Sequence, residues 1–394
     1  MNKIDELIEK LCPNGVEFKP IWSVTAWDKK FNGVEKYKQN KVNSYKYFLA
    51  ADFNKIEEPT GDIKYLSTGI SSEDRYTTEE LAGEYLADGE IVCIPWGGTP
   101  NVKYHKGKFV TGDNRIATSL DTKILNNKFL YYWMSSKLND IASFYRGSGI
   151  KHPSMKNVLD MMIAIPPLEV QCEIVHILDD FTLLSAELSA ELKARKKQYE
   201  YYRDKLLSVN GKEIQLGDIA NFKTGNKPKE ILDAGEYEYI NAGTTNSGYS
   251  NECNIDGNKV TTPSRGQGGI GFVGYQKNAF WLGPLCYAIW SKDENIIINK
   301  YLYYELSSKK DEILKRKNTG GVPALNGCDL KTIPINVPTI DDQKRIVSIL
   351  DNFEKICEDT TEGLPAEIEA RNKQYEYYRN ILLTFKELEV SEVQ

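Results

Sequence analysis

The sequence predicts an α+β protein: two mixed α/β-strand globular domains separated by two long antiparallel coiled-coil helices, pseudo-two-fold and cyclically permuted. Three observations predict it. The first is an internal repeat. Gln171 matches Gln343, Ile174 matches Ile346, Leu178 matches Leu350, Asp179 matches Asp351 and Phe181 matches Phe353, all at one spacing of 172. The same spacing carries Asn127–Tyr132 onto Asn299–Tyr304, and the identical runs Gln198–Arg203 and Gln374–Arg379 follow at 176. The second is a four-three alternation of apolar residues after each matched Gln, the mark of a coiled-coil seam. The third is the texture of what lies between: short apolar and aromatic runs punctuated by Gly, Asn, Pro and Ser, which are strand and turn signals.

Residues 1–165 form the first globule, with a short N-terminal helix. Leu11, Asn14 and Gly15 align with Leu207, Asn210 and Gly211, so the first repeat opens at a point where the second ends a helix. Two-fold objects cut open to make their termini have this signature. The run Ile91–Ile94 reads as a strand and Asn127–Leu138 as a helix. About 25 more residues separate Val24 from Pro95 than separate their counterparts, so the globules share a scaffold and differ in their faces.

Residues 166–208 form the central helix. Pro166 and Pro167 suit a helix start, and Asn210-Gly211 supplies a terminator. The seam runs through Ile174, Leu178, Phe181, Leu188, Leu192, Tyr199, Tyr202 and Leu206. At 1.5 Å per residue this is a rod of about 60 Å. Residues 209–337 form the second globule, with strands near Tyr237–Ile240 and Phe280–Leu282 and a helix at Asn299–Leu306. Residues 338–394 repeat the helix through Ile346, Leu350, Phe353, Cys357, Leu364, Ile368, Tyr375, Tyr378 and Leu382. Four inserted residues near Gly363 and Pro365 should kink or break it. A four-residue insertion also keeps a seam roughly in phase, so this copy too is expected to act as one rod.

Composition narrows the function classes. The 394 residues are 41% hydrophobic and 27% charged, within the globular norm. No apolar leader opens the chain and no run of about 18 apolar residues occurs, so cytoplasm is the expected compartment and no membrane partner is expected. Seven cysteines without a C-x-x-C pair, and only three histidines, disfavour a disulfide framework and a zinc site. A net charge of −6 argues against coating nucleic acid by bulk charge and leaves room for local basic patches.

Catalytic motifs are missing. Gly266–Gly271 formally fits G-x-G-x-x-G, but Phe272-Val-Gly-Tyr follows instead of a helix, so a hairpin or exposed loop is expected. Walker A, G-x-S-x-G and H-E-x-x-H do not occur, and no cofactor is expected on this chain.

Binding features occupy matched places. After matched prolines, one globule carries Trp96, Asn101, Lys103 and His105, and the other Ser264, Arg265 and Gln267. A second matched pair holds Arg146, Ser148 and Lys151 against Lys317, Asn318 and Thr319. Lys36, Lys38 and Lys41 lie among tyrosines in the longer part of the first globule, and Lys223, Asn226 and Lys227 open the second. Glycine lets backbone approach a ligand, Asn, Gln and Arg read base edges, and Lys neutralises phosphate. Any one of these residues is as simply a solvated loop residue; the matched placement points to the set. Tyr199, Tyr202, Tyr375 and Tyr378 fit either seam packing or an aromatic strip that docks a partner.

At this point the chain resembles the specificity subunits of type I restriction-modification systems. The residues that carry the resemblance are the start at Leu11–Val16, the two Pro-x-x-(Glu/Asp)-x-Gln-x-x-Ile-Val segments at Pro166–Val175 and Pro338–Val347, and the two Gln-Tyr-Glu-Tyr-Tyr-Arg helix ends. Cys172-Glu173 departs from the Lys344-Arg345 pair of the second copy. The resemblance implies a non-catalytic subunit whose globules are target recognition domains, each reading half of a bipartite double-stranded DNA site. It implies helices that set the spacing and hold two methyltransferase subunits, and a motor-nuclease subunit that joins in some complexes. S-adenosylmethionine would then be bound by the methyltransferase, and ATP with Mg2+ by the motor-nuclease. A rod of about 60 Å exceeds one turn of B-DNA, roughly 34 Å, which suits two half-sites with unread base pairs between them. The rival from another class is a coiled-coil scaffold whose globules bind protein or glycan. A complete single-chain restriction enzyme is excluded by the missing motifs.

Overall fold

The computed structural model describes residues 3–70, 74–266, 268–318, 322–359 and 361–388. Its contacts divide the chain into two compact units, one of Met1–Glu187 with Glu369–Gln394 and the other of Leu188–Ile368. Both boundaries fall inside helices, so each unit contains one globule, the start of the helix that leaves it and the end of the other helical region. This division by contact cuts the chain differently from the segments 1–165, 166–208, 209–337 and 338–394, which follow element type.

In the first unit the helix Lys3–Leu11 stops at Leu11, the position that the repeat aligns with the last residue of a helix, Leu207. Strand β1 (Glu17–Pro20) then pairs antiparallel with β10 (Met162–Ile165). The main sheet has six strands, β2 (Thr25–Trp27), β3 (Ile63–Leu66), β4 (Tyr76–Thr77), β5 (Ala87–Pro95), β6 (Lys103–Thr111) and β7 (Asn114–Ser119), in the order β2-β7-β5-β6-β3-β4. Strands β3 and β6 pair in parallel and the other neighbours are antiparallel. The apolar run of β5 is unbroken because both its faces are covered. Val92 and Ile94 pack with Phe129, Leu130 and Trp133 of the helix Asn127–Ser136, while Ile91 and Cys93 pack on Leu66, Phe109 and Ile116. Strands β8 (Tyr145–Arg146) and β9 (His152–Pro153) form a small hairpin.

The second unit repeats this plan. Strand β11 (Lys212–Gln215) pairs with β19 (Pro334–Val337) as β1 does with β10. Strands β12 (Ala220–Thr224), β15 (Lys259–Pro263), β16 (Gly274–Gln276) and β18 (Cys286–Ser291) lie in the order β12-β18-β15-β16. Strands β13 (Tyr237–Ile240), β14 (Tyr249–Ser250) and β17 (Trp281–Leu282) form a separate sheet, β14-β13-β17. The nine-residue β6 thus has two short counterparts, β16 and β17, and the six-stranded sheet becomes four strands plus three. Residues 268–271 turn directly into β16 without a helix, as a loop does.

The central helix is a single element, Leu168–Leu207, 40 residues long. The second copy is not one rod. It consists of Ile340–Glu358 and Leu364–Leu382, 19 residues each. Asp359 adopts an extended conformation, and its side chain accepts from the backbone N–H of Thr361 (2.7 Å) and Glu362 (3.1 Å), a local bond that competes with helix continuation. Gly363 comes so close to the preceding turn that a Cβ would sit 2.6 Å from the carbonyls of Lys355 and Asp359. The inserted residues therefore stop the helix instead of being absorbed in its supercoil.

A buried glutamine fastens each helix to its globule. Gln171 accepts from the backbone N–H of Asn126 (2.8 Å) and donates to the carbonyls of Ile124 (2.7 Å) and Pro166 (2.8 Å). Gln343 repeats all three bonds with Ile298, Ile296 and Pro338 at 2.9 Å each. Tyr132 donates to Asp179 and Tyr304 to Asp351, both at 2.5 Å. Among the described residues, no helix is long and apolar enough to cross a membrane.

Candidate nucleic-acid interface

In the first unit β5 ends at Pro95 and the chain leaves the sheet through Trp96-Gly97-Gly98. The Trp96 N–H donates to the carbonyl of Asp113 (2.9 Å). Gly98 takes φ +97°, and its N–H donates to the carbonyl of Lys151 (3.3 Å) in the β8-β9 hairpin loop. His152 Nδ1 donates to the Trp96 carbonyl (2.7 Å), and the two rings lie 5.1 Å apart. A Cβ on Gly97 would stand 2.7 Å from Ile150, so only glycine permits this approach.

The second unit builds the same corner from different side chains. β15 ends at Pro263, and the Ser264 N–H donates to the carbonyl of Leu285 (2.8 Å). Gly266 takes φ +113°, and its N–H donates to the carbonyl of Pro323 (3.2 Å). The Leu325 N–H returns to the Ser264 carbonyl (2.8 Å), and Arg265 bridges to Ala324. The two matched pairs of segments singled out in the sequence are therefore brought side by side, in the same register, in both units.

Supports beneath the corners differ. Arg115, 1% exposed, stacks 4.9 Å from the Trp96 ring centroid and forms ion pairs with Asp28 (2.9 Å) and Asp113. Burial raises the Asp28 carboxyl above its ordinary range, and Arg115 pulls it partly back. Tyr287 takes the matching place in the second unit and donates to the Leu325 carbonyl (3.2 Å).

The candidate residues divide by what holds them. Arg146, Ser148 and Lys151 are exposed on the first corner, and Arg265 and Asn318 on the second, beside the half-buried Lys317. Gln267 and Thr319 lie outside the described residues. Ser264 is 7% exposed and serves the corner through its backbone. Asn101 is buried and spends its amide on the carbonyls of Thr68 and Thr99, both at 3.0 Å. The Lys103 ammonium donates to Ser67 and to the carbonyl of Gly69 (2.7 Å), and burial lowers its pKa. His105 Nε2 donates to the Lys108 carbonyl (3.0 Å), and burial lowers its pKa as well. These four brace the loops instead of facing outward.

Lys38 pairs with Asp160 (2.6 Å) and Glu35 (3.2 Å), whereas Lys36 and Lys41 are exposed without a salt bridge among the described residues. Lys223, Asn226 and Lys227 are exposed near Asn254 and Trp281. Asn226 accepts from the Asn254 amide (3.2 Å) through its side chain and from the Trp281 indole (2.7 Å) through its carbonyl. The structure does not join this turn to the Ser264 corner.

The helix seam is built within each unit. In the first, Leu178 is buried with Val170 and Ile174, and Tyr375 and Leu382 pack on the same core. Phe181 stacks on Tyr378 at 5.4 Å and 25°. In the second, Leu350 is buried with Ile346, and Phe353 stacks on Tyr202 at 5.8 Å and 23°, with Tyr199 tilted beside it at 6.5 Å. Leu188 is buried, and Leu192 and Ile368 are half-buried. Two tyrosines outside the seam pattern, Tyr201 and Tyr377, are each 62% exposed and meet Tyr202 and Tyr378 edge-on. Their signal was in the sequence, in the identical runs that contain them.

The model of the type I restriction modification DNA specificity domain matches this chain twice, at residues 34–195 and 209–370. A type I restriction enzyme specificity subunit of Escherichia coli is 32% identical over 385 residues, covering 85% of this chain and 93% of its own. Among solved structures, the S subunit of a type I restriction-modification system from M. genitalium aligns over 94% of this chain and 96% of its own, with a TM-score of 0.67 at 19% identity. A chain from work on complex assembly and conformational transition of the type I R-M system aligns over 94% and 98%, with a TM-score of 0.54 at 13% identity. These likenesses favour DNA recognition over a scaffold that binds protein or glycan. With two matched domain models and a specificity subunit as a near full-length relative, this chain belongs to the family of type I restriction-modification specificity subunits.

Proposed function

We propose that this chain is the DNA-reading subunit of a type I restriction-modification complex, with each unit reading one half of a bipartite site. The observation that carries this reading is the repeated corner. The bond from Gly98 to Lys151 recurs from Gly266 to Pro323, on identical backbone plans, beneath different exposed side chains. A common frame with unlike faces suits two unlike half-sites. Arg146, Ser148 and Lys151 in the first unit, and Arg265, Lys317 and Asn318 in the second, are the side chains placed to meet DNA. Arg and Asn address base edges in the major groove, and Lys addresses phosphate.

In this reading the helices set the spacing between half-sites and each helical end region docks one methyltransferase subunit. S-adenosylmethionine is then held by the methyltransferase, and ATP with Mg2+ by a motor-nuclease where one joins. The chain supplies recognition and no bond-making group.

The test is a domain exchange. Replacing residues 209–337 with those of a relative of different specificity, followed by methylome sequencing, is expected to change one half of the methylated motif and keep the other. A change in both halves, or in neither, overturns modular reading.

A further inference from the structure

The proposed function leaves one basic cleft unused. It lies in the first unit, encloses about 470 Å³, and is lined by Lys29, Lys30, Asn32, Trp96, Ser154 and Lys156 together with apolar neighbours and Gly33. Three cations line it and no carboxylate does, in a chain whose net charge is −6. Lys29 and Lys30 are exposed and form no salt bridge among the described residues. The Lys29 ammonium sits 5.2 Å from the Trp96 ring centroid. Lys156 reaches Glu35 at 3.7 Å, a carboxylate that Lys38 already holds at 3.2 Å. The cleft therefore carries a positive charge that the protein itself leaves largely unanswered, directly beside the Trp96 corner.

The second unit has no such cleft at the matching positions. By the register of β2 on β7 and of β12 on β18, Thr224 and Gly225 stand where Lys29 and Lys30 do. Cys328 stands at the place of Lys156, and Ser264 at that of Trp96.

We propose that this cleft binds a phosphodiester of the DNA strand flanking the half-site of the first unit, a subsite that rests on the DNA reading above and adds a sequence-independent anchor to it. Lys29, Lys30 and Lys156 neutralise the phosphate, while Asn32 and Ser154 offer uncharged donors and Trp96 walls the site toward the reading corner. Lysine is a point charge without the planar fork that reads bases, so the subsite fixes register and affinity and carries no sequence information.

The experiment uses the subunit assembled with its methyltransferase and duplexes carrying its own motif. Affinity is measured against salt for the parent, for Lys29→Gln, Lys30→Gln and Lys156→Gln together, and for the corresponding triple Arg variant. The Gln variant is expected to have a salt slope shallower by about 2 to 3, close to one per lost contact, while the Arg variant keeps the parent slope. Neutral methylphosphonates are then scanned along the duplex. At one or two positions flanking the first unit's half-site they should weaken the parent several-fold and leave the Gln variant unaffected. The methylated motif should be unchanged in all variants. An unchanged slope, equal methylphosphonate sensitivity in parent and Gln variant, or relaxed readout of a base overturns the phosphate subsite. A parent complex that binds no duplex overturns the DNA reading and the subsite with it.

Discussion

Gln171 and Gln343 show how one side chain can define a junction. Each is fully buried and satisfies one N–H and two carbonyls where a strand, a loop and a long helix meet. Gln171→Leu or Gln343→Leu keeps most of the volume and strands those backbone groups, at an expected cost of roughly 2–4 kcal/mol in the unit concerned. Denaturation curves would check this, and a loss below about 1 kcal/mol would mean water replaces the amide. Glu305 gives a residue-scale prediction with a pH signature. It is 2% exposed, and burial raises its carboxyl above the ordinary range, with the Asn336 N–H and Lys309 opposing. A raised folded-state value means that its contribution is fullest below the unfolded-state value and is lost as pH climbs through the folded one. Glu305→Gln should therefore gain stability relative to the parent from about pH 4 upward. A difference that is flat with pH would remove Glu305 from this role. The glutamines were visible in the sequence as repeat members, but their triple bonding was not, because their partners lie some 45 residues away. Lys29, Lys30 and Lys156 escaped notice for the same reason, since only folding gathers three separate segments into one concavity. Asn101 and Lys103 misled in the opposite direction, because residue type announces hydrogen bonding and cannot say whether the partner is DNA or a neighbouring loop.

At the scale of elements, the helical regions separate packing from presentation. Tyr199 and Tyr375 are half-buried, one against Phe353 and the other on the first unit's core, and burial raises both phenols. Tyr201 and Tyr377 point away from these contacts and are exposed in matched places. The periodic pattern was legible because heptad spacing is local. Which tyrosine faces outward was not, because two apolar neighbours in sequence look alike until a partner helix covers one of them. Aspartate at Tyr199 or Tyr375 should cost more than about 2 kcal/mol, as a buried unpaired charge does. Aspartate at both Tyr201 and Tyr377 should leave the melting temperature nearly unchanged, within about 0.5 kcal/mol, and abolish co-purification with the methyltransferase. Full co-purification of the second variant would take the exposed pair out of the proposed interface. The interrupted second helix was half legible. Gly363 and Pro365 announced a break, while the side chain that completes it, Asp359, looked like any solvated carboxylate.

At the scale of the molecule, the units are unlike in how the chain completes them. The second is continuous, Leu188–Ile368. The first is assembled from both ends of the sequence: Leu382 and Leu383 are buried in its core, and the Val16 N–H donates to the Lys386 carbonyl (2.9 Å) while the Leu388 N–H returns to the Val16 carbonyl (2.9 Å). Gly15, at φ +95°, turns the chain against this tail, where a Cβ would lie 2.6 Å from the Lys386 carbonyl. The cyclic permutation inferred from the misaligned start of the first repeat is therefore a physical closure, one that sequence spacing implied and backbone pairing completes. Its consequence is a split response to truncation. Burying Leu382 and Leu383 alone is worth several kcal/mol, at about 1.5–3 kcal/mol per fully buried side chain. A chain ending at Ile368 should thus lose amide-exchange protection across β1, β10 and the helix Asn127–Ser136 in the first unit. The second unit loses none of its own segments and should keep protection in β15, β18 and the helix Asn299–Ser308. Hydrogen exchange on the truncated chain would separate the outcomes: loss in both units would show that they fold as one cooperative body, and protection retained in both would show that the tail pairing contributes nothing to closure.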